Sequence, residues 1–462
     1  MTAQTILPAN SVTGGFEVDH SVRFDRASDS LLYADNFANH TSTKKFTISF
    51  WVKRSILGSN QAIISQRHNN SYSAAVKFKT DNTLEVFDVR NDEDALQVVT
   101  NRTFTDTSAW YHIVVSSDVS PSSPALKIFV NGVQETSFAT SNQYSQNETT
   151  SWNNGYRMEI GSVNGDYFDG YIAQPALIDA YDYDADSFGE FDEDTGIWKP
   201  IRISGLTTGT NGRFLDFVDS SDLGKNANGI NQNFTLTNLG AIDQTTDTCT
   251  NNFCTWNVAA DNQDVTFAEG ACKVIHGTAT ARRPVISTFG VAKGKWYWEW
   301  KAAGSPTAAN MEVGIVNYAS PTSQGRYLGQ ALTTDADFTT YIGDGNINVS
   351  GSASDSGTAY AGGNIIGVAV DVDNEKIYFY KNSTLINSGG TDYSGMTIGS
   401  GFIFMSNADR SGSASYTASV NFGQPVVANS SDAADGNGHG RFEYAPPSGF
   451  LALCTKNLAE TG

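Results

Sequence analysis

Apolar and polar residues alternate strictly along Lys45-Phe46-Thr47-Ile48-Ser49-Phe50-Trp51-Val52-Lys53, which places Phe46, Ile48, Phe50 and Val52 on one face of an extended segment. The pattern predicts a half-buried strand. Thr47, Ser49, Trp51 and Lys53 share the other face, so Trp51 is either covered by a loop or exposed as a sugar-stacking ring. Tyr111-His112-Ile113-Val114-Val115 and Lys127-Ile128-Phe129-Val130 read as further strands, and Asn131-Gly132 supplies the positive φ angles of a tight hairpin turn. Short strands continue through Met158 to Gly161 and Tyr171 to Ala173, which predicts an antiparallel β-sandwich over about residues 15–185.

The same grammar returns further on. Trp296, Trp298 and Trp300 lie on one face of Gly294-Lys295-Trp296-Tyr297-Trp298-Glu299-Trp300, a row that reads as core. Ile365 to Asp371 leads through Asp373-Asn374 into Lys376 to Lys381, a second hairpin. No segment holds a capped 3.6-residue apolar period, so helical bundles and coiled coils are excluded. The expectation is an all-β protein of two antiparallel β-sandwiches joined by a partly ordered connector. An N-terminal arm spans 1–18, the first sandwich 19–185, the connector 186–254 and the second sandwich 255–458. The connector is rich in Gly, Asn, Asp and Thr but keeps apolar clusters such as Phe214-Leu215-Asp216-Phe217.

Composition narrows the function. With 29 basic against 49 acidic residues the net charge is −20, spread along the chain, which repels a phosphate backbone or an anionic bilayer. Nucleic-acid partners and membrane insertion are not expected, and no apolar run approaches the ~18 residues of a membrane span. The first thirty residues lack a basic start followed by an apolar block, so no secretion signal is expected. Cys249, Cys254, Cys272 and Cys454 are too few for a disulfide framework and are expected as reduced thiols of a protein made in a cytosol.

Beyond pattern, the motifs carry a resemblance. Phe46 to Lys53, Ala109-Trp110-Tyr111-His112-Ile113, Val130-Asn131-Gly132 and Phe168-Asp169-Gly170-Tyr171-Ile172-Ala173 resemble laminin-G-like domains of the concanavalin-A-like sandwich class. Gly294 to Glu299, Ile366 to Asp371 and Ile377-Tyr378-Phe379-Tyr380-Lys381-Asn382 are similar to a SPRY domain, also a jelly-roll-like sandwich. Ser383 stands where such domains usually have Gly, which puts the turn after Asn382 in question. The connector motifs Phe188-Gly189-Glu190, Thr195-Gly196-Ile197-Trp198-Lys199-Pro200 and Thr250-Asn251-Asn252-Phe253 resemble bacteriophage tail and virion-surface proteins. Asn421-Phe422-Gly423-Gln424 and Pro446 to Thr455 at the chain end add to that likeness, while residues 426–441 look like an extra Asn/Gly/Asp-rich loop.

The resemblance implies a non-enzymatic structural and binding protein of a phage virion, a tail appendage or head decoration, assembled in the host cytoplasm and displayed on the particle surface. Its partners would be other virion proteins and a host-surface glycan or receptor, with a homotrimer as the default assembly. The alternatives are a polysaccharide depolymerase-type tail enzyme and a cellular lectin or adhesin. No nucleophile elbow, phosphate-cradling loop or helical His pair is present to support catalysis.

Sandwiches give recognition to the loops at their ends. Residues 141–168 carry Tyr144, Trp152, Tyr156 and Tyr167 among Asn, Ser, Thr and Gly, and residues 318–344 carry Tyr318, Tyr327 and Tyr341. These rings are the ligand-binding candidates; the competing reading is that they plug the sandwich ends. No cofactor is expected apart from a calcium option, because laminin-G-like domains often bind calcium at one rim through aspartates. Asp166 and Asp169 are the implied ligands, with solvated turn carboxylates as the alternative. Asp182, Asp184 and Asp186 imitate a helical calcium loop without its glycine, and Cys249, Cys254, Cys272 and His276 could ligate zinc only at irregular spacing.

Overall fold

The computed structural model describes residues 15–35, 40–229, 232–260, 265–277, 283–317, 338–349, 352–355, 357–394, 402–409 and 415–461. Strand makes up 46% of the described residues and helix 5%, so the all-β expectation holds. The chain divides between Asn251 and Asn252 into two units, each with its own pair of large sheets, and the first adds a two-stranded sheet of Gly189–Phe191 and Trp198–Pro200.

In the first unit, one sheet runs in the order Val133–Gln134, Lys127–Val130, Trp110–Asp118, Lys45–Arg54, Gly170–Asp179, Ser21–Phe24, Gln244–Thr245. The other runs Phe138–Asn142, Glu93–Thr103, Thr83–Arg90, Tyr72–Phe78, Gln61–Asn69, Arg157–Ile160, Leu31–Ala34, Thr235–Thr237. Phe46, Ile48, Phe50 and Val52 enter the core between them with Ile64, Val76, Val86, Ile113 and Ile172. Asn131 and Gly132 have φ of 49° and 78° and join Lys127–Val130 to Val133–Gln134, the hairpin that the sequence predicts.

The segment expected as a partly ordered connector is instead part of this unit. Arg213–Phe214 pairs with Gly170–Asp179, Thr235–Thr237 with Leu31–Ala34 and Gln244–Thr245 with Ser21–Phe24. Leu215, Phe217, Leu223 and Phe234 join the main core. The apolar clusters bury and the backbone between them covers sheet edges that would otherwise carry unpaired N–H and C=O groups. Val18, placed in an N-terminal arm by the sequence, is buried and tied through its backbone to the Thr250 hydroxyl at 3.1 Å.

The central strand Lys45–Arg54 is therefore not half-buried: Thr47, Ser49, Trp51 and Lys53 on its outer face are buried as well. Trp51 stacks on His112 at 4.7 Å, and His112 stacks on Trp198 at 5.9 Å. Trp198 Nε1 can only donate, so its bond to His112 Nδ1 (3.0 Å) fixes the imidazole proton on Nε2, which donates to Ser49 Oγ at 2.9 Å. Burial without an acid partner pushes the His112 pKa down to about 3 and keeps the ring neutral. Trp198 can lie so close because Gly132 has no side chain: a Cβ there would meet the indole at 2.2 Å. Beside the stack, Lys53 Nζ meets Asp247 Oδ2 at 2.8 Å and Trp110 Nε1 donates to Asp247 Oδ1 at 2.9 Å.

In the second unit, a larger sheet runs Val265–Ala268, Lys273–His276, Tyr416–Asn421, Lys295–Ala302, Ile365–Asp371, Lys376–Lys381, Thr384–Leu385. Thr391–Asp392 pairs beside Lys376–Lys381 and Leu451–Ala452 beside Lys295–Ala302. A smaller sheet runs Arg283–Val291, Ile403–Asp409, Met311–Asn317, Phe338–Ile342, Asn346–Val349, Ser352–Asp355. Trp296, Trp298 and Trp300 are core, as the alternation predicts. Their neighbours Tyr297 and Glu299 are buried on the outer face beneath the chain end, where Tyr297 packs on Phe442 at 5.1 Å. The extra loop 426–441 is folded: Ala433 bridges Phe442, and buried Asp435 accepts from Ala452 N (2.8 Å) and Asn457 Nδ2 (2.7 Å). All four cysteines are buried and none is in a disulfide.

The turn after Asn382 keeps its hairpin shape although glycine is missing, with Asn382 at φ 46° and Ser383 at φ 71°. A side chain at Ser383 holds a left-handed conformation against its steric preference. Ser383→Gly should therefore raise unfolding stability by about 0.5–1 kcal/mol, measured as a shift in urea midpoint at unchanged slope.

Candidate functional site

The end of the first sandwich where the second sheet's hairpins turn brings together three aromatic residues that solvent can reach. His68 and Tyr72 flank the hairpin joining Gln61–Asn69 to Tyr72–Phe78, and Tyr156 immediately precedes Arg157–Ile160. Each lies on the inward-facing side of its strand but beyond the core. His68 is exposed, and Tyr72 and Tyr156 are half-buried. The His68 and Tyr156 rings stack at 5.3 Å, Tyr72 meets Tyr156 edge-on at 5.9 Å, and the Arg90 guanidinium lies 6.0 Å from the Tyr72 ring centre. Polar groups surround them: the Tyr72 hydroxyl donates to Asn91 Oδ1, and Asn154 Nδ2 donates to the Tyr156 hydroxyl at 3.4 Å. Asn91 and Asp92 form the adjoining turn at φ 52° and 64°, and Asp92 N donates to Ser71 O at 3.4 Å, which draws two hairpin tips together.

Beneath the rings lies a buried polar layer. Asp88 Oδ2 accepts from the Tyr144 hydroxyl at 3.0 Å and from Ser151 N at 2.8 Å. Asp88 Oδ1 has no hydrogen-bond partner among the described residues, and burial lifts the carboxyl pKa to about 6. Gln66 bridges loop and sheet, accepting from Asn153 N at 2.7 Å and donating to Tyr156 O at 3.0 Å. One turn deeper, Trp152 is 1% exposed and packs on Phe46 with ring centres 5.6 Å apart.

This arrangement redistributes the sequence candidates. Trp152 and Tyr144 are core anchors rather than ligand contacts, because a ring closed off from solvent cannot stack on a sugar; they hold in place the loop that presents Tyr156. Tyr167 is half-buried, near Asp29 and Glu159, and makes no ring contact with the cluster. Tyr341 is buried in the second unit's core, 4.7 Å from Tyr360, and so is also a packing residue. Tyr327 lies outside the described residues. Sequence reading missed His68, Tyr72 and Arg90, which sit on strands rather than in the aromatic-rich loop; the only signal was the period-two placement of Tyr72, Arg90 and Asp88 on one face.

The aspartates do not form a cation site. Ser55 Oγ donates to Asp169 Oδ1 and Arg26 N to Asp169 Oδ2 at 3.2 Å, while Lys77 Nζ lies 3.7 Å from Asp166. Donors on Asp169 and a lysine ammonium beside Asp166 do not fit a calcium ion, which needs several free oxygens. Asp182 and Asp184 pair with Lys45 and Lys127 at 3.4 and 2.8 Å. Among the described residues no three His, Cys, Asp or Glu side chains gather closely enough to hold a metal.

Comparison with known proteins accords with both units. Residues 25–180 match the concanavalin A-like lectin/glucanases superfamily, and residues 295–404 match the SPRY domain. The chain carries a concanavalin A-like domain and a SPRY domain. The candidate cluster falls wholly within the first. Solved structures similar to parts of the chain include the SPRY domain of human HERC1, at 15% identity over 35% of this chain and 95% of that one, with a TM-score of 0.27. A heptameric SAP-like pentraxin from Limulus polyphemus matches at 13% identity over 35% and 76%, also with a TM-score of 0.27. No curated protein matches the chain. Nothing in these matches points to a bacteriophage.

Two measurements test the anchoring layer. Trp152→Ala should cost about 3–5 kcal/mol in chemical denaturation, the range for a core aromatic, where a surface ring would cost little. Asp88 should also leave a mark on pH dependence. A carboxyl raised from 3.8 to about 6 favours the folded state fully below its unfolded pKa, and that contribution is lost as pH rises through 6. The stability of Asp88→Asn relative to the parent should therefore improve by up to about 3 kcal/mol between pH 4 and pH 8; a flat difference would show an unperturbed carboxyl.

Proposed function

We propose that this chain is a non-enzymatic recognition protein whose concanavalin A-like domain binds a surface glycan through His68, Tyr72 and Tyr156. The observation that carries the reading is the stacked, solvent-reaching ring cluster at a sandwich end, with His68 and Tyr72 on paired strands and Tyr156 on a loop anchored by buried Trp152 and Tyr144. Sugar rings present a C–H face that lies on aromatic rings, and their hydroxyls need donors and acceptors beside it. Arg90, Asn91 and Asn154 supply both. The anchoring lowers the entropy lost on binding, since the rings are already placed.

The finer setting, a phage particle that presents this domain to its host, is supported by the resemblance of the Phe188-to-Pro200 and Pro446-to-Thr455 motifs to virion-surface proteins. Under that reading other virion proteins hold the chain and host glycan is the ligand.

Tyr156→Ala tests the site. Its ring is half-exposed, so the melting temperature should stay within a few degrees of the parent, while binding to a glycan array or to host cells should fall at least tenfold, the loss of about 1.4 kcal/mol or more. Undiminished binding by Tyr156→Ala and by His68→Ala would remove the cluster from the function. New reducing ends in glycan incubated with the protein would overturn the non-enzymatic reading.

A further inference from the structure

The second unit contains a cavity of about 240 Å3 on the outer face of its larger sheet, and none of its lining residues is one discussed as a glycan contact. Its floor is set by register. Lys301 lies between Ser419 and Ile365 on neighbouring strands, and Glu299 lies opposite Asn421 in the next row. Pro425 to Ser430, at the start of the extra loop, forms the facing wall, and Glu443 closes one side. Most of the lining, from Ser419 to Glu443, thus comes from residues beyond the SPRY match.

The chemistry of the lining is selective. Pro425, Val426, Val427 and Ile365 make it aliphatic, and Val427 is 47% exposed, one of few large apolar residues left to solvent. Trp300 is its single ring and is 1% exposed, so a sugar finds no stacking surface. The carboxylates are already served. Glu299 accepts from Tyr444 N (2.8 Å), Glu443 N (2.9 Å), Asn421 Nδ2 (3.2 Å) and the Tyr297 hydroxyl (3.2 Å). Glu443 accepts from Ser430 N at 2.7 Å and from the Ser430 hydroxyl. Lys301 differs: among the described residues its ammonium has no hydrogen bond and no ion pair, although it is half-buried at the cavity and senses the Glu443 charge.

An aliphatic wall beside a cation that makes no hydrogen bond or close ion pair among the described residues complements a carboxylate attached to an aliphatic group. The volume is below the ~300–1,000 Å3 of pockets for drug-sized ligands, which leaves room for about one residue. We propose that this cavity captures the C-terminus of a partner polypeptide ending in an aliphatic residue, the terminal carboxylate on Lys301 and the side chain against Val426, Val427 and Ile365. Capture of a chain end by a positive group beside an apolar pocket is an economical recognition mode, since it needs one residue and one charge. The long-range repulsion from this acidic protein is screened beyond about 8 Å at physiological salt, so the contact charge decides at short range.

The test uses the full chain and a fluorescein-labelled hexapeptide, Gly-Ser-Thr-Ala-Ala-Leu, read by anisotropy. The free acid should bind at least about tenfold more tightly than the same peptide with a C-terminal amide, the difference between a charge-assisted and a neutral contact. A peptide ending in Ser should bind about tenfold more weakly than the one ending in Leu. Lys301→Gln should erase the acid-over-amide preference, and Val427→Asp should abolish binding, both at an unchanged melting temperature because neither side chain holds the fold. Equal binding of acid and amide, or none at about 1 mM peptide, overturns the proposal. So does competition by octanoate as strong as by unlabelled peptide, which would assign the cavity to fatty carboxylates. Glycan binding at Tyr156 is a separate measurement and neither result depends on the other.

Discussion

A strand buried on both faces must find a partner for every polar side chain it carries, and that constraint organises each unit of this protein. Lys45–Arg54 carries Thr47, Ser49 and Lys53 on the face turned away from the core. Left to water they would need nothing. Covered, each needs a specific donor or acceptor, because an unmatched buried polar group costs roughly 1–3 kcal/mol and a buried charge more. The segment after the sandwich supplies them: Asp247 for Lys53, and Trp198 for His112, which in turn serves Ser49. A stretch with the composition of a linker is for this reason an integral third layer of the domain.

The second unit meets the same constraint with different residues. Lys295–Ala302 turns three indoles inward and Tyr297 and Glu299 outward, and the chain end returns to cover them. Glu299 is satisfied by four donors, two of them backbone N–H groups of the returning segment. Coverage is incomplete where the extra loop begins, and the cavity over Lys301 is the result.

The candidate site lies where coverage stops. In the first unit the sandwich end beside the Gln61–Asn69 and Tyr72–Phe78 hairpin is a place where three packed rings reach solvent. The layering there runs from Trp152 in the core, through Asp88 and Gln66, to Tyr156 at the surface. A rigid support beneath a half-exposed ring is what separates a binding surface from a merely exposed tyrosine.

The period-two pattern by itself determined the strands, the core faces of Lys45–Arg54 and Lys295–Ala302, and the hairpin at Asn131-Gly132, because alternation and turn chemistry are local properties. The rings set among polar residues in 141–168 marked that loop as a candidate, and Tyr156 stayed in the candidate site. What the sequence could not decide was which rings of that loop point inward: Trp152, Tyr144 and Tyr156 have the same polar neighbours, and only the fold places two beneath the surface and one upon it. His68, Tyr72 and Arg90 join Tyr156 through strand pairing across the sheet, a contact between residues far apart in the chain. The connector was misread for the same reason. Its polarity is matched by partners on strands far away in the chain, as Asp247 is by Lys53 at a separation of 194 residues, and such matching exists only once the tertiary structure has formed.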